Sequence, residues 1–225
     1  MTPACHGQSP EAVFLNTAGG LTGGDRFTFS ASVEDGALFL TTQTAERAYA
    51  CADARAAEVK ITLRAGPGAT LYWLPQETIL FNESALDRRT LIDCAPGATV
   101  VALEMLVFGR AAMGETLERF SLRDRRDIMR AGAPAWVDAL ALDEGLIGHP
   151  AGLGSARAIA TLAYMGDEAQ AVCHRLASEP DVCVSAWEGK CILRAASHDL
   201  WPLKKAMARA IKTMTGGTLP RVWAV

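Results

Sequence analysis

Residues 58–77, EVKITLRAGPGATLYWLPQE, decide the fold. Apolar residues alternate from Val59 to Leu63, a Gly-Pro-Gly-Ala turn follows, and a second apolar run begins at Leu71. Alternation with a period of two marks a strand with one buried face, and glycine supplies the positive φ that other residues resist. The same plan recurs upstream in FTFSASVEDGALFLTTQT (27–44) and downstream in RTLIDCAPGATVVALEML (89–106). The pairs Gly36-Ala37, Gly68-Ala69 and Gly97-Ala98 stand 32 and 29 residues apart. Repetition at a near-constant period points to stacked layers, each covering the apolar face of the next. The expectation is a mainly β chain. Its body, residues 11–150, would be a stacked β-hairpin or β-helical solenoid, each unit folding back at its glycine as a hairpin.

The last third reads differently. RAIATLAYM (157–165) suits a strand, and GDEAQAVCHRLA (166–177) suits a short helix capped at or near Asp167. DVCVSAWEGKCILRAAS (181–197) reads as a hairpin turning at Glu188-Gly189. Pairing Trp187 with Lys190 sets Cys183 opposite Arg194, with Cys183 and Cys191 on opposite faces. HDLWPLKKAMARAIKTMTGG (198–217) is the clearest helix, with Ser197 or Asp199 as cap, Pro202 in the first turn and two glycines as its stop. This β-α-β-β-α order predicts a small C-terminal α+β portion, residues 151–225, carrying two α-helices within a single domain 1–225.

Composition narrows the function. A net charge of -3 leaves no basic footprint for general nucleic-acid binding. Half the residues are hydrophobic, which implies surface normally covered by a partner. The most apolar run, ATVVALEMLVFG (98–109), is shorter than the ~18 residues a membrane helix needs and is broken by Glu104. The start, MTPACHGQSPEA, lacks the basic region and apolar core of a secretory signal, so a cytoplasmic location without membrane contact is expected. Six cysteines (Cys5, Cys51, Cys94, Cys173, Cys183, Cys191) form no CxxC pair and read as reduced small hydrophobes. The four histidines (His6, His149, His174, His198) show no ligand spacing, and there is no nucleophile elbow. An enzyme is not expected.

NTAGGLTGGD (16–25) holds four glycines and ends on Asp25. A phosphate cradle needs a helix after the glycines, whereas RFTFSASV after them reads as a strand. What remains is a tight turn, or a bend that sets Asp25 beside a partner or a passage. Carboxylates recur near the ends of the repeat strands: Asp25, Glu46, Glu77, Glu104 and Glu115. Glu104 interrupts VVALEMLVF, and a lone buried carboxylate costs several kcal/mol unless it is paired or meets a cation. Strand alternation could put it on a wet face. Alternatively, it belongs to an acidic wall along a path for a cation such as Ni²⁺, or to the carboxylate pair of a glycosidase. Arg123, Arg125, Arg126 and Arg130, interleaved with Asp124 and Asp127, read as a solvated strand edge.

Taken together, VFLNTAGGLTGGDRF (13–27), TTQTAERAY (41–49), LYWLPQETILF (71–81), LVFGRAAMGE (106–115) and LPRVW (219–223) resemble the UreD (UreH) family of urease accessory proteins. The resemblance runs from about Glu11 to the C-terminus. It implies a mostly β helical stack and a non-enzymatic role: binding UreF, which binds the GTPase UreG, and docking on apo-urease to help install nickel. A tunnel passing Ni²⁺ inward is part of that expectation, with no permanently bound cofactor and room for a dimer within the complex. Matched position by position, Asp25, Glu46, Glu77, Glu104, Glu115 and Asp138, the last following PAWV, become candidates for the nickel route. No cysteine lies where the family pattern calls for one. Family members carry a few tens of residues before the glycine motif, where this sequence has 15 before Asn16: either the sequence starts late, through a misassigned start or truncation, or those strands are lost, in which case an unpaired strand edge is expected. The competing expectations are a β-solenoid carbohydrate-active enzyme and an interaction module without a metal role.

Overall fold

In a computed structural model, residues 9–52, 55–110 and 113–223 are described; Cys5 and His6 lie outside them. The first repeats give β1 (Glu11–Phe14), β2 (Arg26–Val33), β3 (Ala37–Thr42), β4 (Glu46–Ala48), β5 (Ala57–Ala65), β6 (Thr70–Trp73) and β7 (Thr78–Leu80). Next come β8 (Ala85–Cys94), β9 (Thr99–Phe108), β10 (Ser121–Arg130) and β11 (Ala133–Asp143). The C-terminal third supplies β12 (Ala158–Met165), α1 (Ala169–Leu176), β13 (Cys183–Trp187), β14 (Lys190–Ser197) and α2 (Leu200–Thr215).

The repeats stack as a β-solenoid, but their units are arches, not hairpins. Strands β2 and β3 flank Gly36 yet lie in different sheets, and β5/β6 and β8/β9 do the same around Gly68 and Gly97. Each strand pairs in parallel with its equivalent one coil later: β2 with β5, β5 with β8, β8 with β10, and likewise β3 with β6 and β6 with β9. The turn glycines do take the expected positive φ, at 72°, 70° and 75°. A hairpin would have left each pair's apolar face uncovered. The arch turns the inner face of β5 (Val59, Ile61, Leu63) toward that of β6 (Leu71, Trp73), and all five residues share one core. Burial of both faces is what favours the stack.

A nine-stranded sheet carries β1-β3-β6-β9-β12-β14-β13, with β4 and β7 beside that path; the five-stranded sheet runs β11-β10-β8-β5-β2. The C-terminal portion continues the larger sheet, because β12 pairs antiparallel with β9. Strand β9 is therefore covered on both faces. Val100, Leu106 and Phe108 join the core between the sheets, while Val101, Leu103 and Met105 join a second core beneath α1 and α2. Asp199 caps α2 by accepting from the Trp201 N–H at 2.9 Å, and Gly216 ends it in the left-handed region. The hairpin β13/β14 keeps the expected register, Trp187 with Lys190 and Cys183 with Arg194. Its antiparallel turn fixed that register locally, which the arches could not do.

Candidate functional site

The site follows from strand parity and register. In β8 the even residues face the solenoid interior, so Arg88 shares a face with Leu86 and Ile92. In β10 the even residues also face inward, which buries Asp124 and Arg126 beside Leu122 and Ile128. The solvated-edge reading of this cluster is thus corrected. Arg123 and Arg125 point outward, but Asp124 is only 1% exposed. Register makes Arg88 and Asp124 lateral neighbours, and Arg126 and Asp138 likewise. From the facing sheet comes Glu104, whose own row continues through Thr161 to Arg194.

These side chains join into one ionic chain that crosses the core. Arg88 grips Asp124 with a two-pronged fork, Nε donating to Oδ1 at 3.0 Å and Nη2 to Oδ2 at 2.8 Å. Its Nη1 donates to Thr78 Oγ1 at 2.9 Å and stands 2.7 Å from Glu104 Oε1. The last contact is close but poorly aligned, and Oε1 has no well-directed hydrogen bond within the chain. Arg126 reaches Asp138 at 2.8 Å, and Arg194 meets the other Asp138 oxygen at 2.8 Å. The chain runs Glu104–Arg88–Asp124–Arg126–Asp138–Arg194, three carboxylates against three guanidinium groups.

Its electrostatics are lopsided. Burial works against Asp124, yet Arg88 holds its carboxyl below the usual range. Burial also opposes the Arg88 charge, and Asp124 with Glu104 more than compensates. Glu104 touches one guanidinium, that of Arg88; burial pushes its carboxyl up to about 7, with the Asp124 charge adding to the rise, against the pull of Arg88 and the more distant Arg126. Glu104 is the member least reconciled to its surroundings.

Cavities meet at Glu104. On one side lies a cavity of about 50 Å³ lined by Phe29, Glu46, Trp73, Thr78, Arg88 and Glu104. On the other, a broad cleft of about 600 Å³ is lined by Glu104, Arg126, Asp138, Cys183 and Arg194. Between them a hole of about 10 Å³ touches Trp73, Thr90, Glu104 and Arg126. Trp73 Nε1, Thr90 Oγ1 and Glu104 Oε1 are buried there without hydrogen-bond partners in the chain. The lining is otherwise mostly apolar, so a single water-sized guest in a hole of that size would have these three atoms as its partners. Farther out, Glu46 also lines a cavity of about 30 Å³ with Asn16 and Arg47.

Of the six carboxylates expected as candidates for a route, three border these cavities and three do not. Glu104 and Asp138 border the cleft, and Glu46 with Glu104 borders the inner cavity. Glu46 accepts from Asn16 Nδ2 at 3.1 Å, so the start of the glycine motif and TTQTAERAY are tied together. Asp25 instead accepts from the Thr22 N–H at 2.9 Å inside its own turn. Glu77 is buried against Lys204 of α2 at 2.8 Å, and Glu115 pairs with Arg110 at 3.0 Å, which holds its carboxyl low. Glu77 and Glu104, the pair a glycosidase would need, are thus engaged by different partners. Among the described residues, no group of three or more His, Cys, Asp or Glu side chains is placed to hold a metal ion. Of the glycines, Gly20 has a packing reason: a Cβ there would lie 2.8 Å from the Arg47 carbonyl oxygen.

Comparison with known proteins adds an independent line. A family model described as UreD urease accessory protein matches residues 1–224. The chain is 48% identical to a protein named urease accessory protein UreD from Cereibacter sphaeroides, covering 98% of this chain and 83% of the relative. Proteins of the same name from Dinoroseobacter shibae and a Jannaschia species are 48% and 45% identical, covering 99% and 100% of this chain and 81% and 86% of theirs. No helix among the described residues is long and apolar enough to cross a membrane.

Proposed function

Because this chain belongs to the UreD family of urease accessory proteins, we propose that it acts as a chaperone and scaffold for incorporating nickel into apo-urease. In this reading it works with UreF and, through UreF, with the GTPase UreG, and nickel travels between its two sheets past Glu104. The observation that carries the reading is the meeting of cavities at one buried carboxylate, with Glu46 toward one end and Asp138 toward the other.

The physical logic is that of a conduit. A divalent ion leaving water needs oxygen donors along its way, and donors too numerous at any point would hold it. Scattered single carboxylates, with no three-ligand cluster among the described residues, meet both demands. Glu104 supplies a charge at the narrowest point, and Asp138 offers one at the cleft. The apolar composition fits a chain that presents surface to UreF and to urease. Such a role requires no turnover by the chain itself.

The test is co-expression of urease and its other accessory genes with and without this chain. Nickel-loaded, active urease is expected only with it; equal activity in its absence refutes the reading. If the chain is required for assembly but nickel loading ignores Glu104→Gln, it is a metal-independent interaction module.

A further inference from the structure

We infer that Arg88 is the residue that keeps the Glu104 crossing a point of transit and prevents it from storing the ion. This inference rests on the conduit reading above and concerns the same site. Arg88 is anchored independently of Glu104, since Asp124 takes its fork and Thr78 takes Nη1. It leans on Glu104 through one close, poorly aligned contact. An ion arriving at Glu104 therefore need not expel Arg88 from the core; it displaces a single contact and then sits beside a fixed positive charge.

The charge balance shows what that does. With all six groups of the ionic chain ionised, the network is neutral, and a divalent cation gains only what it can take from Arg88. Arg88 repels that cation across a few ångströms of low-dielectric core, where one unit charge weighs far more than in water. Without Arg88, Glu104 and Asp124 would face a common space with an uncompensated negative charge and Thr78 Oγ1 beside them. Two carboxylates and a hydroxyl are a plausible set of oxygen donors for a divalent cation. The arginine thus lowers affinity where affinity would stall delivery.

The experiment is titration of the purified full chain with NiCl₂ by calorimetry, in the wild type, Arg88→Met, Arg88→Lys and the double variant Arg88→Met/Glu104→Gln. Arg88→Met is expected to gain about one Ni²⁺ site, bound roughly tenfold tighter or more than by the wild type, as removing one repelling charge from a dry site requires. Arg88→Lys, which keeps the charge, should show no gain, and the double variant should lose it. Should Arg88→Met not fold, Arg88→Gln, which keeps a hydrogen-bond donor, decides in its place. Binding by the neutral variants no tighter than by the wild type, or an equal gain in Arg88→Lys, overturns the inference. Failure of the conduit reading looks different: Glu104→Gln would then load urease with nickel fully, whatever the titrations give.

Discussion

Glu104→Gln changes one charge and almost no volume, and the structure predicts that it stabilises the protein. Glu104 titrates near 7 when folded, against an ordinary value of 4.5, because burial outweighs the pull of Arg88. The folded chain therefore holds an extra proton between those values. Stability from this group is fully present below pH 4.5 and is lost as pH rises through 7. At 1.36 kcal/mol per unit, the ionised carboxylate costs the fold about 3 kcal/mol at pH 8. Glutamine mimics the protonated form and escapes that cost, while Arg88 keeps Asp124 and Thr78. For a chain of this size each kcal/mol moves Tm by roughly 2–4 °C, so Tm at pH 8 should rise by roughly 6–12 °C. The assay is thermal unfolding of both proteins from pH 5 to pH 8, with the gap between them closing toward pH 5. A variant less stable than wild type at pH 8 would refute the reasoning and make Glu104 an ordinary structural partner of Arg88.

Other substitutions probe the frame around the site. Lys204→Met leaves Glu77 buried without its cation and should cost about 3–5 kcal/mol, read by denaturant unfolding and by faster proteolysis within α2. Asp199→Ala removes the α2 cap and should lower stability by about 1 kcal/mol, measured as a shift in the urea midpoint. Trp223→Ala empties a site that is 1% exposed and loses the indole hydrogen bond to the Leu74 carbonyl; a loss of about 3–5 kcal/mol is expected by the same method. Gly20→Ala drives a Cβ against the Arg47 carbonyl and Tyr49, so a Tm unchanged by this substitution would contradict the packing described.

What could be read beforehand depended on whether the information was local. The face of each strand was legible, because alternation fixes it residue by residue. The partner of each strand was not: Val59 says that it points inward, but nothing near it says that Phe27, not Leu71, lies beside it in the sheet. Only the stacking of whole coils decides that, which is why hairpins were expected where arches occur. The same limit hid half of the site. Asp124 and Arg126 share parity with Leu122 and Ile128, a signal present in the sequence but masked by the charges around it. Arg88 likewise falls in step with Leu86 and Ile92. Glu104 stood out because a carboxylate in an apolar run has few comfortable places to go. Glu77 and Glu115 draw notice by recurring near the ends of repeat strands and by resemblance, and their nearest partners, Lys204 and Arg110, explain their placement.

The central claim is that nickel passes between the sheets at Glu104. The most direct test is the nickel content of urease matured beside Glu104→Gln, with the accessory complex recovered intact and the variant shown to be folded. The account predicts a better-folded chain that leaves urease nearly free of nickel, below about a tenth of the wild-type loading if the lost charge is worth the ~1.4 kcal/mol of a tenfold change. Urease filled to the wild-type level by that variant would contradict it.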